Sequence, residues 1–317
     1  MTYPLKQQYD NVDRAAECER LEEIRGTEGA GKVCCSQYIG KNISHMRVTD
    51  PEGSLHNCLY PSMVMEGYGK PIDQVTDLVL LLKALRDAIA AHQEAFVRKC
   101  ILVGGITLGN IVYTKDPANL REGEGYGNLI DFDLSVKLDH LVSCHDLDFR
   151  TGTLAFYSVH IHRRIRDNKP YVPHYMDDLQ GFFWVFIWIL ASYDVHHDGR
   201  ASKIKQPLIH KRFQSEPEIA ESIKHAFLLR CACPNSLLTY LSKNWDPILI
   251  ELVRNLGSLF CSNVDVLPVP ATDMVKEANE QAFEHYATIL GYFDSVIARL
   301  AHSLPIIVAP ANDPDEP

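Results

Sequence analysis

The run Phe182-Phe-Trp-Val-Phe-Ile-Trp-Ile-Leu190-Ala191 constrains this chain more than any other stretch. A helix of that composition is apolar on every face, so it is stable only where other elements enclose it. A bilayer span needs about 20 such residues, roughly twice what is present, so the run reads as a central core helix. The chain can supply the enclosure, with 317 residues of which 46% are hydrophobic. The opening Met1-Thr-Tyr-Pro-Leu-Lys-Gln-Gln has no apolar segment of signal-peptide type, and the expectation is an intracellular protein, cytoplasmic or nuclear. A net charge of -10 without a local Lys/Arg cluster offers nothing to neutralise phosphates or an anionic bilayer. Nucleic acid and membrane are therefore set aside as partners. The nine cysteines are odd in number and scattered, which fits free thiols in a reducing compartment. Cys231 and Cys233 have only His225 nearby as a further ligand, short of a metal site.

Periodicity places the remaining elements. Apolar or small residues at helical spacing predict a helix over 10–25, stopped by Gly26, and a second from Asp73, as N-cap, to about Phe96. Strands are expected over 32–39, 59–65, 100–103, 111–113 and 129–132. Beyond Asp177 the pattern is mainly helical, with amphipathic helices over 216–229, 236–259 and 273–302. The acidic, Pro-rich stretch 310–317 reads as a disordered tail.

Two segments could carry chemistry. Gly26-Thr-Glu-Gly-Ala-Gly31-Lys32-Val33 has the spacing of a phosphate-binding loop, yet Val33 replaces the hydroxyl that would hold magnesium, and the segment follows a helix where the motif requires a strand. It is better read as a helix-to-strand turn. The stronger signal is Ile101-Leu-Val-Gly-Gly-Ile-Thr-Leu-Gly-Asn110-Ile-Val followed by Leu129-Ile-Asp131-Phe132-Asp133-Leu. An Asn closing one turn, with an Asp-Phe pair at a strand end about twenty residues on, brings two magnesium ligands together in protein kinases. Taken singly, Asn110 and Asp133 could be turn formers and Asp131 a cap.

These blocks resemble the fungal-type protein kinase family, whose corresponding motifs read Ile-Leu-His-Arg-Asp-Ile-Ser-x-Gly-Asn-Ile and Leu-Ile-Asp-Phe/Trp-Asp-Leu. The likeness extends to Arg150-Thr151-Gly-Thr153-Leu-Ala-Phe156-Tyr-Ser158, similar to the family's activation segment, and to Asp177-Asp178-Leu-Gln-Gly-Phe-Phe, similar to its Asp-Asp-Leu-Glu-Ser-Phe-Phe. Gly67-Tyr-Gly-Lys-Pro71 resembles the hinge, and Leu85 to His92 the helix before the catalytic loop. Leu5-Lys6-Gln and Glu17-Cys-Glu19 resemble the third-strand lysine and its helix glutamate, with Glu17 slightly ahead of Glu19. His92, His160, His162, His196 and His197 read as surface or satisfied histidines.

The resemblance implies an α+β, protein-kinase-like fold: a truncated small lobe over 1–66, a hinge at 67–71, and a mainly helical large lobe over 72–309. It implies magnesium ligands at Asn110 and Asp131, an ATP-facing pair Lys6 and Glu17, a structural Asp178 holding the catalytic turn, and an activation segment at Arg150, Thr151 and Thr153. ATP and magnesium are the implied cofactors, weakly held, and a protein the implied partner or substrate. Two departures bear on activity. Val103-Gly104-Gly105 stands where the family has His-Arg-Asp, so the catalytic base is missing at Gly105. The chain also starts at the third strand, without a Gly-rich loop over the phosphates. Three readings stay open: a pseudokinase acting through protein contacts, a weakly active Ser/Thr kinase, and an incomplete gene product of one.

Overall fold

A computed structural model describes residues 5–7, 10–11, 17–38, 58–59, 61–65, 69–75, 77–120, 124–137, 153–169, 171, 173–195, 201–203, 208–231, 236–264 and 274–301. In chain order the first part contributes β1 (Leu5–Gln7), β2 (Asp10–Asn11), α1 (Glu17–Glu23), β3 (Val33–Tyr38), β4 (Cys58–Leu59), β5 (Pro61–Met65) and β6 (Lys70–Pro71). β5 is the middle strand of an antiparallel sheet in the order β1-β5-β3, with Lys6 opposite Met63 and Ser36 also opposite Met63. β2 pairs with β4. The helix expected over 10–25 is thus shorter, because Asp10 and Asn11 spend their backbone groups on Leu59 and Cys58. The Gly26–Gly31 segment is a turn from α1 into β3, as its composition suggested, and its Gly29 to Gly31 backbone bonds Leu129.

A 3-10 turn, Ile72–Gln74, leads into α2 (Leu78–Lys99). The N-cap is Asp77 rather than Asp73: its carboxylate accepts from the Leu80 N–H at 2.7 Å. Asp73 lies in the preceding turn, whose short 3-10 winding cannot propagate into the long helix. After α2 come β7 (Ile101–Leu102), β8 (Ile111–Tyr113), β9 (Gly127–Leu129) and β10 (Val136–Lys137). β6, β8 and β9 form one antiparallel ribbon, and β7 pairs with β10. β9 ends at Leu129, short of the expected Phe132, because the chain turns at Asp131 (φ 72°). Gly127 is required where β9 meets α2, since a Cβ there would lie 2.0 Å from the Ala84 carbonyl oxygen.

The rest is helical: a 3-10 turn Leu154–Phe156, α3 (Val159–Arg166), α4 (Tyr175–Ala191), a hairpin of β11 (Tyr193–Val195) and β12 (Ala201–Lys203), then α5 (Leu208–Phe213), α6 (Pro217–Leu229), α7 (Ser236–Asn244), α8 (Pro247–Asn263) and α9 (Met274–Leu300). The segment expected as one helix over 236–259 is two, since Asp246 caps the Ile248 N–H at 2.8 Å and Pro247 opens α8. Every residue of α4 is buried, as its composition demands. Phe183 packs on Phe227 and Phe260, Phe186 on Phe293, and Trp184 against Phe213 and Phe227. Each such aromatic contributes about 1.5–3 kcal/mol by leaving water. No helix among the described residues is long and apolar enough to cross a membrane. The stretch 310–317, His196 and His197 lie outside the described residues.

Candidate functional site

Four ionisable side chains from three elements converge at the junction of the β1-β5-β3 sheet with the turn after β9. Lys6, on β1, places its Nζ 2.7 Å from Glu17 Oε2, 2.7 Å from Asp131 Oδ1 and 3.2 Å from Asp133 Oδ1. Glu17 stands in the first turn of α1 and is buried, while Glu19 points outward. The other oxygen of Glu17 accepts from the Phe132 N–H at 2.8 Å, which ties α1 to the turn. Asp131 adopts the left-handed conformation, one that Asp tolerates better than most residues. Carboxylates two residues apart thereby reach the same ammonium.

The electrostatics follow from crowding. Burial opposes the Lys6 charge, but Glu17 and Asp131 outweigh it and hold the ammonium well above its ordinary range. Burial, then the hydrogen bond and charge of Asp133, push Glu17 up to about 8 against the pull of Lys6. Burial and the neighbouring Asp133 raise Asp131 as well. One ligand oxygen each from Glu17, Asp131 and Asp133 lies within 4.8 Å of the other two. That is a hard, oxygen-only donor set of the kind that suits magnesium, so the residues present fit the ion.

The second half of the site is the turn between β7 and β8. The Asn110 N–H donates to the Thr107 carbonyl at 3.2 Å, and its side-chain amide donates to the Gly105 carbonyl at 2.7 Å. Its own carbonyl accepts from Ile130 N–H at 2.8 Å, which sets Asn110 beside the residue preceding Asp131. Gly105 is buried, and a Cβ built there would meet the Asn110 amide at 3.5 Å and Leu134 at 3.8 Å, ordinary contacts. Gly104 differs: its φ is 72°, and a Cβ would lie 2.8 Å from the Leu134 carbonyl oxygen.

Asp178, in the first turn of α4, holds this turn from below. Its carboxylate accepts from the Val103 N–H at 3.0 Å and from the Gly104 N–H at 3.2 and 3.1 Å. His92, fully buried on α2, bonds the same carboxylate through Nε2 at 2.8 Å and Tyr286 of α9 through Nδ1. Thr153 is exposed just before the 3-10 turn, whereas Arg150 and Thr151 lie outside the described residues, as do Gly67 and Tyr68 of the hinge segment. Sequence reasoning left Asp133 as a turn former, and the structure puts it on Lys6 as a third carboxylate. The signal was the Asp-x-Asp spacing at 131 and 133. Lys224, on the amphipathic helix expected over 216–229, carried no sequence signal, since a lone lysine there reads as solvated; His160 and His162 are buried, His160 on Asp177 at 3.2 Å and His162 beside Lys224 at 3.3 Å.

A lysine and helix glutamate facing an Asp-Phe turn, with an asparagine closing the adjacent turn and an acid of a buried helix bracing it, define a protein-kinase-like protein. The model of the family described as fungal protein kinase matches residues 4–190, and the chain belongs to that family. Among solved structures it is similar to the Cydia pomonella granulovirus kinase PK-1, at 14% identity and a TM-score of 0.47, over 81% of this chain and 78% of that one. No curated protein matches the chain.

Proposed function

We propose that this family member is a pseudokinase: an intracellular protein that binds ATP and magnesium weakly and acts through a protein partner. In this reading residues 1–66 are the partial small lobe, 67–71 the hinge and 72–309 the large lobe. The observation that carries it is Gly105. The turn Val103 to Asn110 contains no acid, so nothing five residues before Asn110 can accept the proton of a substrate hydroxyl. Losing a general base lowers phosphoryl transfer by about 10²–10⁴-fold. The cleft adds a second obstacle, because Lys6 already serves three carboxylates. Even with Glu17 protonated at neutral pH, as its rise to about 8 implies, ionised Asp131 and Asp133 outnumber the Lys6 ammonium, and the cluster repels phosphates until a cation enters. Asp131, with Asn110 and Asp133, would hold that ion, and magnesium would supply the charge that offsets the β- and γ-phosphates. Lys6, steered by Glu17, would meet the phosphate oxygens.

A second reading, a weakly active Ser/Thr kinase, is favoured by the same Lys6 geometry, since phosphoryl transfer rests mainly on positioning and electrostatics. Calorimetric titration with ATP and magnesium, beside radiolabelled ATP transfer to a generic Ser/Thr substrate, separates the two. The pseudokinase reading expects weak, magnesium-dependent binding that Asp131→Asn abolishes, with no transfer. Transfer by the wild type that Asp131→Asn abolishes would establish the second reading. Equal binding by wild type and Asp131→Asn would overturn the site assignment.

A further inference from the structure

Beneath the stretch 153–159, the second half of the activation-segment motif with the first residue of α3, lies a second set of buried polar groups that the nucleotide cleft does not use. Its backbone forms a 3-10 turn and then enters α3, with Phe156 N–H bonded to Thr153 and Tyr157 N–H to Leu154. Two of its carbonyls face inward. Lys224 of α6, fully buried, donates to the Tyr157 carbonyl at 2.6 Å and the Leu154 carbonyl at 3.4 Å. The Lys224 Nζ also lies 3.3 Å from His162 Nε2, and 5.2 Å from the ring centroids of both Trp184 and Phe213. From α4, Asp177 accepts from the Ser158 hydroxyl, which in turn caps Ile161 N–H at 3.0 Å. The other Asp177 oxygen takes the Tyr171 hydroxyl at 2.7 Å and the His160 ring at 3.2 Å. Gln180 accepts from Val159 N–H at 3.2 Å.

A core that needed only volume between Trp184 and Phe213 would be better served by methionine, because burying an amine costs several kcal/mol before its bonds offset it. What lysine adds is donors in fixed directions. Kinase activation loops are commonly ordered by phosphorylation, through new arginine–phosphate pairs. Here the bonds that order the end of the segment come from the unmodified helical core. We propose that Lys224 and Asp177 are positioning residues that hold 153–159 in one conformation in the unmodified chain, so that this surface is preformed without phosphate. The inference goes beyond the nucleotide reading and does not depend on it.

The test is hydrogen exchange, resolved by peptide, on the full chain purified from a bacterial host and treated with phosphatase. Wild type should protect the amides of 155–162. Lys224→Met should raise exchange there by at least about tenfold, with less than about twofold change in α8 peptides. Leu252→Ala, a cavity mutation in the α8 core, is the control for general destabilisation and should not single out 155–162. If Lys224→Met does not fold, Asp177→Asn takes its place, with the rise expected over 158–161. An unprotected segment in the phosphatase-treated wild type, or the same exchange pattern in the Lys224 or Asp177 variant as in Leu252→Ala, would overturn the proposal.

Discussion

Removing the Asp178 carboxylate tests most directly whether α4 holds the catalytic turn. Three donors lose their acceptor in Asp178→Ala: Val103 N–H, Gly104 N–H and the His92 ring. Gly104 is exposed and can turn its N–H to water, but Val103 and His92 are completely buried. A shielded donor left unpaired costs about 1–3 kcal/mol, so two of them cost about 2–6 kcal/mol, centred near 4. For a chain of this size about 2 °C of Tm corresponds to each kcal/mol, which gives a fall of about 8 °C. Asp178→Asn keeps an acceptor oxygen and should lose roughly half as much. Circular dichroism melts give the Tm values, and urea midpoints with their slopes show whether the denatured state has changed. The expected order is wild type, then Asp178→Asn, then Asp178→Ala. A Tm for Asp178→Ala within about 1 °C of wild type would mean that the carboxylate bonds contribute nothing net, and the brace assigned to α4 would be wrong.

Restoring the family triplet should separate its positions. A Cβ at Gly105 meets only ordinary contacts, so Gly105→Asp should lower the unfolding free energy from urea melts less than Gly104→Arg, which forces φ 72° on a side chain beside the Leu134 carbonyl and should cost about 1–2 kcal/mol or more. Neither Gly105→Asp nor the triple change to His-Arg-Asp should transfer labelled phosphate above an Asp131→Asn blank, since Lys6 stays engaged by three acids; clear Asp131-dependent labelling would contradict this. His162 predicts a pH dependence: burial, then the neighbouring Lys224, push it down to about 2, below its ordinary 6.5. The unfolded chain therefore takes up a proton below pH 6.5 that the folded chain refuses. The stability carried by neutral His162 is present above pH 6.5 and is lost as pH falls toward 2, at up to about 1.4 kcal/mol per pH unit. Urea midpoints between pH 7.5 and 5 should fall less steeply for His162→Gln, and identical slopes would rule the group out.

Much of this molecule was legible in the residue pattern, because local rules suffice for local features. An all-apolar run must be enclosed, and α4 is buried throughout. Periods of two and 3.6 gave most strands and helices, and the failures came where backbone chemistry overrides periodicity. Pro247, with Asp246 as cap, split one amphipathic pattern into two helices, and Asp77 displaced Asp73 as the cap of α2. The motifs of the family ordered the candidate residues along the chain, including the glycine where the base would stand.

What the sequence could not express is which charges share a space. Lys6 and Asp131 are separated by 125 positions, and only the pairing of β1 with β5 and the left-handed turn at Asp131 bring them to 2.7 Å. Asp133 joins them because that turn points both acids the same way, which an Asp-x-Asp spacing leaves undecided. Lys224 is the clearest case. On an amphipathic helix a lone lysine reads as solvated, yet the packing of α6 against α4 and the 3-10 turn encloses it among two aromatic rings and two carbonyls. Residue type and spacing determined which elements form and which chemistry they could carry. Tertiary packing decided which ionisable groups are desolvated together, because that depends on what lies across the contact and not on what lies beside it in the chain.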